Sequence, residues 1–96
     1  MKFAFIIMGG FDSKTDRADI RGGEAQIIGV SSVQEACDAA SVLKAQGVGC
    51  IELCGAFGEE GARAVIDATG NSVPVGYVCH LPEQDILFAE AFGEGK

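Results

Sequence analysis

Apolar residues recur in short blocks that predict four strands along the chain. The first block, residues 2–8, is apolar on both alternating faces, a pattern typical of a strand that is covered on both sides. Three further blocks are rich in apolar and β-branched residues and are bounded by glycine, proline or polar turns. These predicted strands occupy residues 24–30, 48–54 and 72–80.

Two segments between the strands, residues 31–47 and 59–69, carry apolar residues at helical spacing. In the first of them, Ser32 and Glu35 have the spacing of a capping box, and Gly47 supplies a stop. Helices that alternate with strands indicate βαβ units with right-handed crossovers.

This order of elements predicts an α/β fold. We expect a single small domain over residues 1–96, with the order β-β-α-β-α-β, a mainly parallel four-stranded sheet and a short C-terminal helix beginning at Pro82. The direction of the first strand and the order of the strands stay open. Residues 82–96 carry more apolar side chains than so short a tail needs, so we expect them to dock on this subunit or on another.

A polar segment, residues 9–23, separates the first two predicted strands. It is bracketed by glycine pairs and contains Lys14, Arg17 and Arg21, three of the seven cations of the chain. It is predicted to be a long loop, and long loops in compact domains are functional or mobile.

Composition excludes several classes of protein. Apolar residues make up 48% of the chain, too many for intrinsic disorder. A net charge of -7 without a cluster of cations argues against nucleic acid and anionic membranes as partners. No apolar run is long enough to span a membrane, and residues 1–10 do not form a secretory signal. The four cysteines lie in helix and strand patterns, so we expect reduced thiols and a cytoplasmic location.

The stretch CIELC, residues 50–54, raises the question of a metal or thiol site. In a strand, Cys50, Glu52 and Cys54 lie on one face, and the two cysteines stand about 13 Å apart. A disulfide between them is excluded at that distance, and the ligand spacing of a metal site is missing. Glu52 either lies on an open sheet face or needs a buried partner. No motif identifies a cofactor.

The turn CGAFGEEG, residues 54–61, joins a strand to a helix whose free amides could hold an anion. It is neither a Walker sequence nor a dinucleotide fingerprint. Glu59 and Glu60 would repel an anion unless their side chains point away. A plain strand-to-helix turn explains the glycines better than a phosphate site does.

Ligands of open α/β sheets bind beyond the carboxyl ends of the strands. Cys54 ends one predicted strand and His80 ends the next, so the two could converge if those strands are parallel neighbours. A thiolate at Cys54 with the imidazole of His80 as its base would form a nucleophilic site. The alternative is a packed Cys54 and a solvated His80 without a third group to orient the imidazole.

The segments IIGVSSVQEA, IELCGAFGEEGARAVI and VPVGYVCHLPEQD resemble a family of small bacterial proteins of about one hundred residues with no assigned function. The resemblance covers most of the chain, rests on an ELCGxFG turn and a VPVGYV strand, and implies no activity. The residues in the matching motifs are Glu52, Gly55, Phe57, Gly58, His80, Pro82, Glu83 and Gln84.

These observations lead to two functional hypotheses. The first is a homo-oligomeric module that binds a small molecule at the carboxyl edge of the sheet, through Gly55, Phe57, Gly58, Glu59, Glu83 and Gln84. The second is a small enzyme of lyase, isomerase or hydrolase type that uses Cys54, His80 and Glu52. Association through the tail alone, without chemistry, is a third possibility.

Overall fold

The computed structural model describes residues 1–93 and contains one five-stranded sheet within them. The strands are β1 (Phe3–Met8), β2 (Arg17–Ile20), β3 (Ala25–Val30), β4 (Cys50–Leu53) and β5 (Val75–Tyr77). The helices are α1 (Val33–Ala45), α2 (Gly58–Ala68) and α3 (Asp85–Ala91). Single 3₁₀ turns span Arg21–Gly23, Gly55–Phe57 and Pro82–Gln84. The predicted α/β class and the short C-terminal helix are confirmed.

The strands lie in the order β2-β3-β1-β4-β5, and all neighbours except β2 and β3 are parallel. The first strand is therefore a parallel inner strand. The chain crosses from β3 over β1 to β4 through α1, and from β4 to β5 through α2. Because both crossovers run in the same direction, right-handed connections put both helices on the same face of the sheet. Accordingly, α1 and α2 pack against each other.

The core lies between these two helices and the sheet. Most side chains of β1, β3 and β4 that face the helices are almost completely buried, and the largest of these are Ile6, Ile28, Val30, Ile51 and Leu53. The start of α1 is fixed as its sequence predicts. Ser32 Oγ accepts a hydrogen bond from Glu35 N at 3.1 Å, and Ser31 N donates to Glu35 Oε1 at 2.8 Å.

The opposite side of the sheet, called the open face below, has no helix on it. Alternation along the strands places large apolar side chains there with partial exposure, notably Phe3, Phe5 and Ile7 of β1 and Ile27 of β3. The same face carries Ile20 of β2, and Cys50 and Glu52 of β4. The initial pattern of residues 2–8 suggested a strand covered on both sides, yet in the single chain only one side is covered.

The segment between β1 and β3 is not the long loop that its polar residues predict. Asp12 N donates to Asp16 Oδ2 at 2.7 Å, and this turn leads into β2, which pairs antiparallel with β3. Three residues with positive φ, Arg21, Gly22 and Gly23, then reverse the chain. The polar side chains are tolerated because β2 is an exposed edge strand, which adds a fifth strand to the predicted four.

The C-terminal part of the described chain extends away from the domain. Every residue of α3 except Ala89 is exposed, so α3 does not contribute to the core. The radius of gyration is 13.8 Å, whereas a compact chain of this length has about 12.5 Å. The molecule is correspondingly elongated, at 40 × 27 × 23 Å. Residues 94–96 of the predicted docking tail lie outside the described residues. None of the described helices has the length and apolar character to cross a bilayer.

Candidate functional site

The carboxyl ends of the four parallel strands gather at one edge of the sheet. From β1 the chain turns to β3 on one side, and from β3 it returns across β1 to β4 on the other side. This reversal makes the β1–β4 boundary the topological switch point, where ligands of open α/β sheets bind. Gly9 and Gly10 follow β1 there, and Cys54 and Gly55 follow β4.

Cys54 is held directly at this boundary. Its Sγ accepts a hydrogen bond from Met8 N at 3.3 Å, and its own amide donates to Ile6 O at 3.0 Å. The side chain is half-buried and packs against the core. The thiol is thus fixed between the ends of β1 and β4.

In the turn formed by residues 54–61, each of the three glycines is explained by a different structural constraint. A Cβ on Gly55 would lie 3.3 Å from Val78 O, and Gly58 has φ of 61°, a conformation that favours glycine. A Cβ on Gly61 would lie 3.0 Å from the Cβ of Phe57. Phe57 itself is only 6% exposed and belongs to the core, which leaves its side chain little surface for a ligand.

The carboxylate of Glu59 points along α2 rather than at the helix end. Its Oε2 accepts hydrogen bonds from Arg63 at 2.6 Å and 3.1 Å. This carboxylate raises the pKa of the Arg63 guanidinium, first through the hydrogen bonds and then through its charge. The pairing removes part of the expected repulsion of an anion at this edge.

His80 has an orienting partner that sequence reasoning missed. Its Nε2 lies 2.7 Å from Asp85 Oδ1, and its ring stacks on Phe88 with centroids 3.9 Å apart and planes at 9°. The five-residue separation from Asp85 does not match a helical or strand repeat. The 3₁₀ turn Pro82–Gln84 lies between them and turns the chain back, so the proline was the one signal for this contact. Glu83 and Gln84 are exposed on that turn.

Cys54 and His80 have different hydrogen-bond partners. The strands β4 and β5 are parallel neighbours, as their convergence required, and Val78 N donates to Leu53 O at 2.9 Å just beyond the ladder. No hydrogen bond joins Cys54 to His80 in the part of the chain that the structure describes. Their joint catalytic role stays a prediction.

Glu52 lies on the open face, which answers the question that its sequence position raised. Cys50 Sγ donates to Glu52 Oε1 at 3.6 Å, and the carboxylate lies over Gly76 of β5, where a Cβ would approach Oε1 to 3.3 Å. Burial raises the pKa of the Cys50 thiol, and the hydrogen bond and negative charge of Glu52 raise it further. Glu52 is half-exposed and has no cationic partner among residues 1–93.

The four cysteines are unpaired, and residues 1–93 contain no group of three or more potential ligands that could hold a metal ion. Two shallow depressions flank β2 and β3. One, of about 230 Å³, lies against α1, and the other, of about 380 Å³, lies on the open face beside Phe11. The predicted site residues do not line either depression, so a ligand at the carboxyl edge would need further walls.

A family model matches residues 1–93, which is nearly the whole chain, and its description is a family of unknown function (DUF6506). The chain belongs to this family. The resemblance seen in the ELCGxFG turn and the VPVGYV strand is thereby confirmed at the level of a small family without an assigned function. No curated protein and no solved structure matches the chain significantly.

Proposed function

We propose that the protein is a homo-oligomeric module that binds a small molecule at the carboxyl edge of its sheet, beside Cys54. The observation that carries this proposal is the pairing of Cys54 Sγ with Met8 N at the switch point of the sheet. A polarizable sulfur and strand-end backbone groups meet there, at the boundary where ligands of open α/β sheets bind.

Glycine loops on both sides of Cys54 support a ligand at this position. Gly10 follows β1, and no atom lies within 4 Å of the position that its Cβ would occupy. Gly55 follows β4 and is exposed. Loops without side chains allow a ligand to approach the backbone closely. The other residues proposed to surround this edge are Gly58, Glu59, Glu83 and Gln84. Phe57 supports the turn from its position in the core.

Self-association supports the site because a single chain provides only part of its walls. The depressions of the surface lie elsewhere, and α3 projects past the end of β5 without joining the core. A second copy would add the walls that the edge lacks. The four unpaired cysteines are consistent with a reducing cytoplasm, which we propose as the location.

Native mass spectrometry of the purified protein, compared with its denatured mass, tests the proposal. We expect a multimer that carries extra mass for each chain. Cys54→Ser should then lose the retained molecule, whereas Cys37→Ser, a matched change of a half-buried cysteine in α1, should keep it. A bare mass together with no thermal stabilisation by any member of a metabolite library would refute binding.

The pair formed by His80 and Asp85 favours an enzyme as the second candidate. A carboxylate 2.7 Å from the imidazole can fix its orientation. In such an enzyme of lyase, isomerase or hydrolase type, Cys54 would be the nucleophile, His80 the base, and Glu52 a further acid or base. Iodoacetamide should then modify Cys54 faster than the exposed Cys79 at neutral pH. Faster reaction of Cys79 would count against this candidate.

A further inference from the structure

The C-terminal arm, defined here as residues 78–92, has large apolar side chains that remain exposed to solvent in the single chain. Ile86 is 74% exposed and Phe92 is 76% exposed, and Leu81 and Leu87 are exposed as well. A helix with apolar residues on most sides is normally buried in a core or an interface. The arm is nevertheless ordered locally, because His80 stacks on Phe88 and is bound to Asp85.

The open face of the sheet is the second apolar surface without a cover. Phe3 and Ile27, on adjacent strands, are exposed there, with Phe5 and Ile7 partly exposed beside them. Four parallel strands of up to six residues give this face dimensions of about 15 by 20 Å. A helix of seven residues is about 10 Å long and 10 Å wide, so α3 fits within that area.

We propose that the arm of one copy packs on the open face of a second copy, and that the second copy returns the same contact. This inference rests on the self-association in the proposed function and specifies its interface. Each copy then covers the surface that the other leaves open. The arrangement is isologous, as expected for a twofold homodimer.

The chemistry of the open face favours a second copy as the occupant. Along the described strands the side chains on this face are apolar or small, and Glu52 is the one charged group among them. A cover for this face must therefore be apolar. The arm of a second copy fits, because it exposes six large apolar side chains: Val78, Leu81, Ile86, Leu87, Phe88 and Phe92.

The size of the contact also favours a reciprocal exchange. One arm laid on one open face of about 15 by 20 Å buries on the order of 300 Å² of each surface, well below the roughly 800 Å² that a standard interface takes from each partner. Two such contacts, which bury one arm and one face of each copy, come to about 600 Å² per partner, the lower end of specific interfaces. Packing of two open faces against each other would leave both arms exposed, and so would explain only one of the two surfaces.

Complementation between two variants tests this geometry. Ile86→Glu alters the arm, and Ile27→Lys alters the open face. Each should weaken the wild-type dimer on the order of a hundredfold in sedimentation equilibrium, because each disrupts both reciprocal contacts. An equimolar mixture of the two variants should recover dimers, since the mixed pair keeps one intact contact and sets Glu against Lys in the other. Val42→Glu, which changes an exposed apolar residue on α1, should leave the dimer unchanged.

Each other outcome overturns the proposal in a recognisable way. Loss of dimers in Ile27→Lys alone would indicate packing of sheet on sheet, and loss in Ile86→Glu alone would indicate packing of arm on arm. Dimers that survive both changes would refute the interface while leaving self-association intact. A wild-type protein that is monomeric at 50 to 100 micromolar, roughly the range of weak dimers, would refute both the interface and self-association. Binding at Cys54 would still be decided separately by the native mass. Unchanged circular dichroism establishes that each variant folds.

Discussion

The two faces of the sheet carry similar apolar side chains but differ in how far these side chains are buried. On one face, Ile28 is 1% exposed beneath the helices, while on the other its neighbour Ile27 is 42% exposed. The difference comes from the connections. Both helical crossovers run in one direction and cover one face, whereas β1 reaches β3 through the edge strand β2 instead of a helix. One non-helical connection therefore leaves an apolar face for another molecule or another copy to cover.

The largest expected difference between the faces is in the cost of removing a side chain. Ile28→Ala should lower the free energy of unfolding by about 2 to 5 kcal/mol, because it leaves a cavity in the core. Ile27→Ala should cost less than about 1 kcal/mol at protein concentrations where chains are dissociated. Urea unfolding of both variants measures the difference. The two residues are adjacent in β3 and chemically identical, so each is the control for the other.

Protein concentration sharpens this test. If a second copy covers the open face, the cost of Ile27→Ala should grow as concentration rises, because dimerisation adds to apparent stability. The cost of Ile28→Ala should not depend on concentration in this way. Equal and concentration-independent losses at both positions would mean that the two faces do not differ as described.

The two helices α1 and α2 and the parallel strands that they connect could be predicted from the sequence for definite reasons. The apolar spacing of α1 and α2 and the cap at Ser32 are local signals, and parallel βαβ units follow from them. Strand β2 was missed because its four residues alternate charged with apolar side chains on an exposed edge. Whether one face is open stayed undecided between the two alternatives for Glu52, since residues 2–8 are apolar on both sides whether or not a partner is present.

The candidate site was less predictable because it depends on contacts between distant residues. The position of Cys54 at a strand end follows from the sequence, but its bond to Met8 N spans 46 positions and requires knowledge of which strands are neighbours. Likewise, the pairing of Cys50 with Glu52 is local, while the fit of Glu52 over Gly76 depends on the register of β4 and β5. Strand order and register are tertiary properties that hydrophobic periodicity does not encode.

A smaller effect is expected where the chain covers part of the open face itself. Phe11 packs over Gly29, and a Cβ on Gly29 would lie 2.8 Å from the Cβ and Cγ of Phe11. Gly29→Ala should therefore displace the ring and cost about 1 to 2 kcal/mol in urea unfolding. In the Phe11→Gly background, which removes both the Cβ and the ring, the same change should cost almost nothing, which a double-mutant cycle would show. An equal cost in both backgrounds would mean that Gly29 is required for its backbone and not for this contact.

The smallest expected effect concerns the polar pair on the open face. Because the carboxylate of Glu52 raises the pKa of the Cys50 thiol in addition to burial, Glu52→Gln should lower that pKa towards its ordinary value of 9.0. The rate of alkylation of Cys50 at pH 8 should then rise several-fold, since the thiolate is the reactive form. Cys37 is the internal control, because its pKa is raised by burial and by Asp38 and Asp67, which the change leaves in place. Peptide mapping of the same sample measures both rates.

The same pair predicts a dependence of stability on pH. A thiol whose pKa is raised in the folded state binds its proton more tightly there than in the unfolded chain. Its stabilising contribution is therefore complete below the unfolded value near 9.0 and is lost as the pH rises through the folded pKa. Wild-type protein should lose stability above pH 9, and Glu52→Gln should lose less of it over the same interval. An identical alkaline slope in the two proteins, with an unchanged alkylation rate at Cys50, would show that Glu52 does not act on this thiol.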